Sequence, residues 1–222
     1  MRILVVGEGK SELGDEPPGP LAQIVHTLLG EPANCEFTRQ TFAGLPKVHA
    51  GLPHKGSGNS RKVKVALIKA ADEGYDALVL VHDRDRDIKM AREMLEAPDS
   101  ARTEAPTYRY PPAAVGIAIE TFDAWMLADE RALSKVLEQT IQTQSDPEKL
   151  AGKKDTGRHP KDVMEQLVAQ SEAGYAVFWK AYPTIAAEID IATLERKCPD
   201  GFGAFAEKVR DVGVAIGSGD VA

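Results

Sequence analysis

Apolar residues in the first half of the chain fall into short runs separated by segments with helical spacing. Ile3-Leu4-Val5-Val6 marks a first strand over residues 2 to 7, and Cys35 to Phe42 alternates as a second would. Ala77-Leu78-Val79-Leu80-Val81 places a third strand over Asp76 to Val81, and Ala114 to Ile119 is a fourth. Runs of four or five such residues bounded by glycine or charge read as buried strands of a parallel sheet. Between them, Leu21, Ile24, Val25 and Leu28 share one helical face that Gly30 closes. Val63, Leu67, Ala70 and Ala71 do the same over residues 61 to 73, which Gly74 ends, and a third helix is expected over Ile88 to Leu95. Gly44 to Ser60 and Pro98 to Pro112 read as loops by composition. Strand and helix alternate four strands deep, which predicts an α/β fold: a mainly parallel, Rossmann-like sheet flanked by helices.

From Thr121 the texture turns helical. Phe122, Trp125, Met126, Leu133, Val136 and Leu137 suit one or two amphipathic helices. Asp146-Pro147-Glu148 and His159-Pro160-Lys161 are helix starts with proline at the first position. Further helices are expected over 163 to 178, 184 to 196 and 202 to 212, with a frayed tail from Gly217. The chain divides near residue 120 into an α/β core (1–120) and a mainly helical C-terminal extension packed on it (121–222).

No apolar run approaches the roughly 20 residues that cross a bilayer, so no membrane association is expected. Met1-Arg2-Ile3 enters a strand at once, without the apolar stretch and cleavage site of a signal peptide, and a cytoplasmic protein is expected. Cys35 and Cys198 stand too far apart in sequence to suggest a zinc or disulfide motif. A net charge of −7 argues against a generic nucleic-acid binder, but the charge is uneven. Lys55, Arg61, Lys62 and Lys64 form one basic strip; Lys149, Lys153, Lys154, Arg158 and Lys161 form another. Of these, Arg61, Lys62, Lys64, Lys154, Arg158 and Lys161, together with Arg84, are candidate ligands for a phosphate-containing substrate, with solvated surface charge as the alternative.

The acids supply the sharper signal. Glu8 and Glu12 follow the first strand; Asp83, Asp85 and Asp87 follow the third. Residues just past the carboxyl ends of strands line the ligand crevice of an open α/β sheet. If the two strands are neighbours, four or five acids converge, and their repulsion calls for a hard cation such as Mg²⁺ or Mn²⁺. Glu12 lies one helical turn beyond Glu8, so both could face one ion. In an extended segment Asp83, Asp85 and Asp87 would point one way, Arg84 and Arg86 the other. The candidate metal ligands are therefore Glu8, Glu12, Asp83, Asp85 and Asp87, with Glu120 after the fourth strand as a further one. Asp87 as part of a solvated strand exit, Glu12 as a first-turn helix acid, and Glu120 and Asp123 as capping acids are the structural alternatives. His82 is placed to orient its neighbour Asp83, while His54 and His159 read as surface histidines in loops.

Two phosphate-binding motifs fail. A P-loop needs a glycine where Leu4 stands, and the third glycine of a dinucleotide fingerprint is replaced by Glu12. A third motif fits better. Gly7-Glu8-Gly9-Lys10-Ser11-Glu12 is similar to the "EGxTE" signature, and Asp83-Arg84-Asp85 to the "DxD" signature, of the Toprim domain of topoisomerases, primases and OLD-type nucleases. Ile119-Glu120-Thr121-Phe122-Asp123-Ala124-Trp125-Met126-Leu127 resembles the "E-x-F-E-x-W-L-L" stretch of the RloB-like group of bacterial proteins. The resemblance spans about residues 2 to 130, with Ser11 for the usual threonine and Asp123 for a glutamate.

The resemblance implies a Toprim-like fold and metal-dependent phosphodiester cleavage of DNA or RNA. Glu8 would be general acid/base or ligand, Asp83 a catalytic carboxylate, and Lys10 a counter-charge to the reacting phosphate. It also implies phage defence alongside an ABC- or AAA-type ATPase; no complete ATP-binding motif is present here, so ATP hydrolysis would come from elsewhere. A homodimer is left open. Two other readings stand beside the nuclease: a non-catalytic Toprim-fold subunit of an ATPase or nucleic-acid complex, and a nucleotidyl transferase.

Overall fold

The computed structural model describes residues 1–30, 34–46, 58–143, 146–150 and 157–218. Four parallel strands form one sheet: β1 (Arg2–Gly7), β2 (Glu36–Thr41), β3 (Ala77–Asp83) and β4 (Ala113–Ala118), in the order β2-β1-β3-β4. All three pairings are parallel, with Leu4 opposite Leu78 and Leu80 opposite Val115. The α/β fold expected from the sequence is therefore present, each strand within two residues of its expected bounds.

Strand alternation divides the interior in two. Leu4, Val6, Leu78, Leu80, Val115 and Ile117 point to one face and pack with Val63, Leu67, Met94 and Ala101 of α3 (Gly58–Asp72) and α4 (Ile88–Glu104). Ile3, Val5, Val79, Val81, Ala114 and Ala118 point to the other, against a short turn α1 (Lys10–Leu13), α2 (Pro20–Leu29) and the C-terminal helices. Those are α5 (Asp123–Met126), α6 (Glu130–Val136), α7 (Pro160–Gln170), α8 (Tyr182–Glu188), α9 (Ile191–Lys197) and α10 (Ala204–Ser218). Trp125, Tyr182, Phe202 and Phe205 are fully buried there with Leu21 and Ile24 of α2. The C-terminal helices thus share one core with α2 and the sheet. α10 lies close over β4 because Gly116 has no side chain; a Cβ there would fall 2.5 Å from the Phe205 ring.

Several helix boundaries differ from expectation. α4 runs through Pro98 to Glu104 instead of stopping near Leu95. Met94, Ala97 and Ala101 are buried on its inner face, so their burial outweighs the proline's cost of about 3 kcal/mol. The single helix expected over 184 to 196 is two, because the Asp190 side chain accepts from the Thr193 amide at 3.1 Å and starts α9. α10 continues through Gly213 to Ser218, so the described part of the expected tail is helical. Much of the loop expected over Gly44 to Ser60 lies outside the described residues, and its end forms the start of α3.

Among the described residues, no helix is long and apolar enough to cross a membrane.

Candidate functional site

The strand order decides where a site can form. The chain leaves β1 for β2 on one side, crosses back over β1 into β3, and continues outward to β4. The gap between β1 and β3 is the point where the winding reverses, and in such sheets the crevice opens at the carboxyl ends of those two strands. Glu8 follows β1 and Asp83 ends β3. The Asp83 amide donates to Glu8 Oε1 at 3.1 Å. The expected meeting of the two acidic segments is therefore present.

A cavity of about 490 Å³ opens there, lined by Glu8, Lys10, Glu12, Asp83, Asp85, Thr121, Asp123, His159, Lys161, Phe178 and Trp179, among others. Glu12 is held under the crevice floor, 3% exposed, its carboxylate accepting from the Gly9 amide at 2.8 Å. Gly7 allows this: a Cβ there would lie 2.6 Å from the Glu12 Cβ. Asp83 accepts from the Phe122 amide at 2.7 Å, which ties the end of β3 to the segment after β4. Asp123, 4% exposed, accepts from the hydroxyl of the fully buried Tyr182.

Crowding and burial show in the proton affinities. Burial, together with the charges of Glu8 and Asp123, raises Glu12 to about 7 against two opposing amide hydrogen bonds. Asp83 is pushed well above the ordinary carboxylate range by burial and by the charges of Glu12, Glu8 and Asp123. Burial also raises Asp123, despite hydrogen bonds from Tyr182 and Thr121. Glu8 goes the other way: burial favours its neutral form, but a hydrogen bond and charge from His82, with the Asp83 amide, outweigh it and lower its pKa. The His82 Nδ1 lies 2.7 Å from Glu8 Oε1, and the His82 ring packs edge-on against Phe42 with centroids 4.6 Å apart. His82 thus orients Glu8 rather than the side chain of Asp83. Among the described residues, no lysine or arginine forms an ion pair with Glu12, Asp83 or Asp123.

Other expected residues stand apart. The extended geometry ends at Asp83: Asp85 (φ 45°) and Arg86 (φ 65°) adopt left-handed backbone, so the one-face alignment of Asp83, Asp85 and Asp87 is lost. Asp85 stays at the exposed rim of the cavity. Asp87 caps α4, accepting from the Met90 amide at 2.8 Å. Arg84 and Arg86 both reach Glu120, at 3.3 Å and 3.2 Å, so Glu120 is occupied by two guanidinium groups and does not line the cavity. Glu120 itself has φ 60°, and this backbone reversal turns its side chain away while Asp123, one turn on, enters the cluster.

The basic candidates divide similarly. Lys10 and Lys161 line the cavity, but the Lys10 ammonium is 2.8 Å from Asp15 in an exposed surface pair and 5.9 Å from the Trp179 ring centre. Lys161 Nζ sits 5.4 Å from the Phe178 ring centre. Lys62 donates to the Phe42 carbonyl at 2.9 Å, at the end of β2. Lys64 is buried and pairs with Glu104 at 2.8 Å between α3 and α4. Arg61 lies on α3 with its Nε buried and unpartnered, and Arg158 is exposed. Lys154, like Lys55, Lys153 and His54, falls outside the described residues.

Asp123 and His159 are cavity residues that residue-type reasoning set down as a cap and a surface histidine, and Thr121, to which it gave no role, lines the cavity with them. The signal for Asp123 was its place in the E-x-F-E-like stretch, where it stands for the second acid. His159 caps α7, with the Lys161 amide donating to its Nδ1 at 3.3 Å, and is buried against the crevice.

The class is thus an α/β protein whose parallel sheet carries clustered carboxylates at its switch-point crevice, faced by a histidine, a lysine and two aromatic residues from the C-terminal helices. The chain belongs to a family described as a domain of unknown function, DUF4276, whose model matches residues 32–210. The match takes in Asp83, Asp123 and His159 and begins beyond the Glu8–Glu12 turn. No curated protein and no solved structure matches the chain.

As a donor set, Glu8, Glu12, Asp83 and Asp123 fit a hard divalent cation: all offer carboxylate oxygens, Glu12 and Asp123 are buried and Asp83 is half-buried, and among the described residues none of these three forms an ion pair with a lysine or arginine. Among the described residues, however, no three His, Cys, Asp or Glu side chains stand grouped ready to hold an ion. Each buried acid is turned onto a protein donor instead, as repulsion between unneutralised carboxylates requires. Ion binding would need these acids to turn from their present donors toward one point, and it would compete with the proton that burial favours on Glu12.

Proposed function

We propose that the crevice is a Mg²⁺- or Mn²⁺-dependent phosphodiesterase site acting on nucleic acid, of the kind the Toprim-like motifs imply. The observation that carries this reading is the Glu8–Asp83 junction at the switch point, where Glu12 and Asp123 add buried carboxylates that, among the described residues, form no ion pair with a lysine or arginine. Glu8, Glu12, Asp83 and Asp123 would hold the ion. When bound, it supplies Lewis-acid activation of water and stabilisation of the leaving oxygen. His82 and the Asp83 amide keep Glu8 ionised and aimed, as a general base requires. Lys161 and His159, on the opposite wall, offer donors to a phosphate oxygen. Lys10 is tied to Asp15 and contributes only if that pair opens. An ATPase partner and a cytoplasmic setting in phage defence belong to the same proposal and rest on the motif resemblance alone.

The absence of a preformed ligand trio among the described residues favours one second reading, a Toprim-fold partner subunit whose acids stay protonated and inactive. Incubating the protein with end-labelled single- and double-stranded DNA and RNA, with Mn²⁺ or with EDTA, separates the two. Cleavage that needs Mn²⁺ and is lost in Asp83→Asn supports the enzyme. No cleavage of any substrate, together with no calorimetric Mn²⁺ binding, rejects it.

A further inference from the structure

The wall of the crevice opposite the acids is built on the start of α7. His159 is the N-cap and Lys161 the second residue of that helix, and both line the cavity. The helix end itself offers little to a ligand: Pro160 has no N–H, and the Lys161 amide donates to His159 Nδ1 at 3.3 Å. The two side chains are what remain. His159 is 8% exposed, yet among the described residues its Nε2 has no hydrogen-bond partner and is not one of the atoms cut off from water. An Nδ1 that accepts an N–H carries no proton, so the proton of the neutral ring sits on Nε2. The ring is therefore a donor toward the crevice, and neither nitrogen offers a free lone pair to a cation. Lys161 adds charge. Its ammonium lies 5.4 Å from the centre of the Phe178 ring and, among the described residues, pairs with no carboxylate. An aromatic face holds a cation without neutralising it. The acids across the crevice are turned elsewhere: Glu12 accepts from the Gly9 amide, Asp83 from the Phe122 amide and Asp123 from the Tyr182 hydroxyl.

We infer that the α7 wall is a metal-independent seat for a phosphate group, in which His159 donates from Nε2 and Lys161 supplies the positive charge. An N–H and an ammonium side by side suit a tetrahedral oxyanion, whose several acceptor oxygens can meet both. The inference rests on the phosphodiesterase reading for its ligand and deepens it. Phosphate and cation are held by opposite walls, so a nucleic-acid strand binds, uncleaved, without the cation.

The test is nuclear magnetic resonance of the ¹⁵N-labelled full chain in EDTA. Correlations within the imidazole rings show which nitrogen holds the proton, and His159→Asn identifies the His159 ring by its loss. Nε2 is expected to carry the proton, and its signal to move with inorganic phosphate but not with chloride at equal ionic strength. The backbone amide at position 161 reports phosphate affinity in every variant. His159→Asn keeps an oxygen for that amide, so the cap survives while the crevice donor is lost, and affinity should fall about tenfold. His159→Gln caps poorly, but its side-chain amide reaches the Nε2 position and should recover most of the affinity. A proton on Nδ1, no response to phosphate, or parental affinity in His159→Asn overturns the seat. Cleavage assays separate this from the catalytic proposal. Phosphate binding in EDTA by a protein that cleaves nothing leaves the seat and removes the chemistry; Mn²⁺-dependent cleavage by a protein whose His159 ignores phosphate leaves the chemistry and removes the seat.

Discussion

Glu8 and Asp83 are 75 positions apart in sequence, yet the Asp83 amide donates to Glu8 Oε1 at 3.1 Å. The contact joins the ends of two adjacent parallel strands and brings their acids into one crevice. If the crevice is the proposed phosphodiesterase site, replacing Asp83 by asparagine is expected to lower Mn²⁺-dependent cleavage by about 100-fold or more, the scale of general acid–base and electrostatic contributions. Asp87→Asn keeps a good helix cap and lies outside the cavity, so its rate should stay near the parent's. Initial rates on a labelled oligonucleotide compare the two. Equal losses in both would mean that the crevice does not carry the reaction.

Stability in the metal-free state should fall as pH rises. An unfolded glutamate releases its proton near the ordinary 4.5, whereas Glu12 in the fold holds its own until about 7. The native state binds more protons between those values, so this contribution is complete below the unfolded value and is lost as pH climbs through about 7. Asp83 and Asp123 shift in the same direction. From Glu12 alone the loss is on the order of 3 kcal/mol. Urea melts in EDTA at about pH 5 and about pH 8 should show the decline, and Glu12→Gln should reduce it. Under the metal proposal, Mn²⁺ should also reduce it, because the ion replaces protons as the neutralising charge.

Lys64 offers a contrast between structural and functional charge. Its ammonium and the Glu104 carboxylate are 2.8 Å apart, with side-chain exposures of 6% and 16%. Lys64→Met leaves Glu104 largely buried without that partner and should cost about 3–5 kcal/mol. Adding Glu104→Leu should restore much of it. Denaturant midpoints read this directly. Nucleic-acid affinity measured on the folded protein should not change, whereas a parallel loss of affinity would return Lys64 to the binding surface.

Gly7→Ala tests the floor of the crevice. The new methyl would lie 2.6 Å from the Glu12 Cβ and 3.2 Å from Leu13 Cδ2. Overpacking of this kind costs about 1–3 kcal/mol and should push Glu12 out of its seat. The expected result is a lower unfolding midpoint together with a flatter dependence of stability on pH, because a displaced Glu12 regains solvent. A midpoint drop with unchanged pH dependence would separate Gly7 from Glu12.

The strands were legible because β1, β3 and β4 are short continuous apolar runs and β2 alternates, and the two faces of the sheet divide the apolar residues of β1, β3 and β4 between the α3–α4 side and the α2 side. Glu8 and Asp83 were legible because they sit at strand ends, where the backbone leaves the ladder and side chains face the crevice, and Glu12 because it stands one helical turn beyond Glu8. Pro98 misled, since a proline's local cost is visible in sequence while the burial of Met94 and Ala101 around it is not. Asp87 and Glu120 misled for a different reason. Alternation holds only while the backbone stays extended, and the left-handed turns at Asp85, Arg86 and Glu120 cancel it.

Residue pattern by itself determined the α/β class, the strand positions and the acids at the ends of β1 and β3, because these follow from local periodicity and chain order. Only the tertiary structure decided that β1 and β3 are neighbours, that Asp123 rather than Glu120 joins the cluster, and that His159, Lys161 and Trp179 face it from more than thirty residues downstream. Those outcomes depend on which strands pair and on the sign of φ at three residues, and on how the C-terminal helices settle over the sheet. They are set by long-range packing, which leaves no period in the sequence.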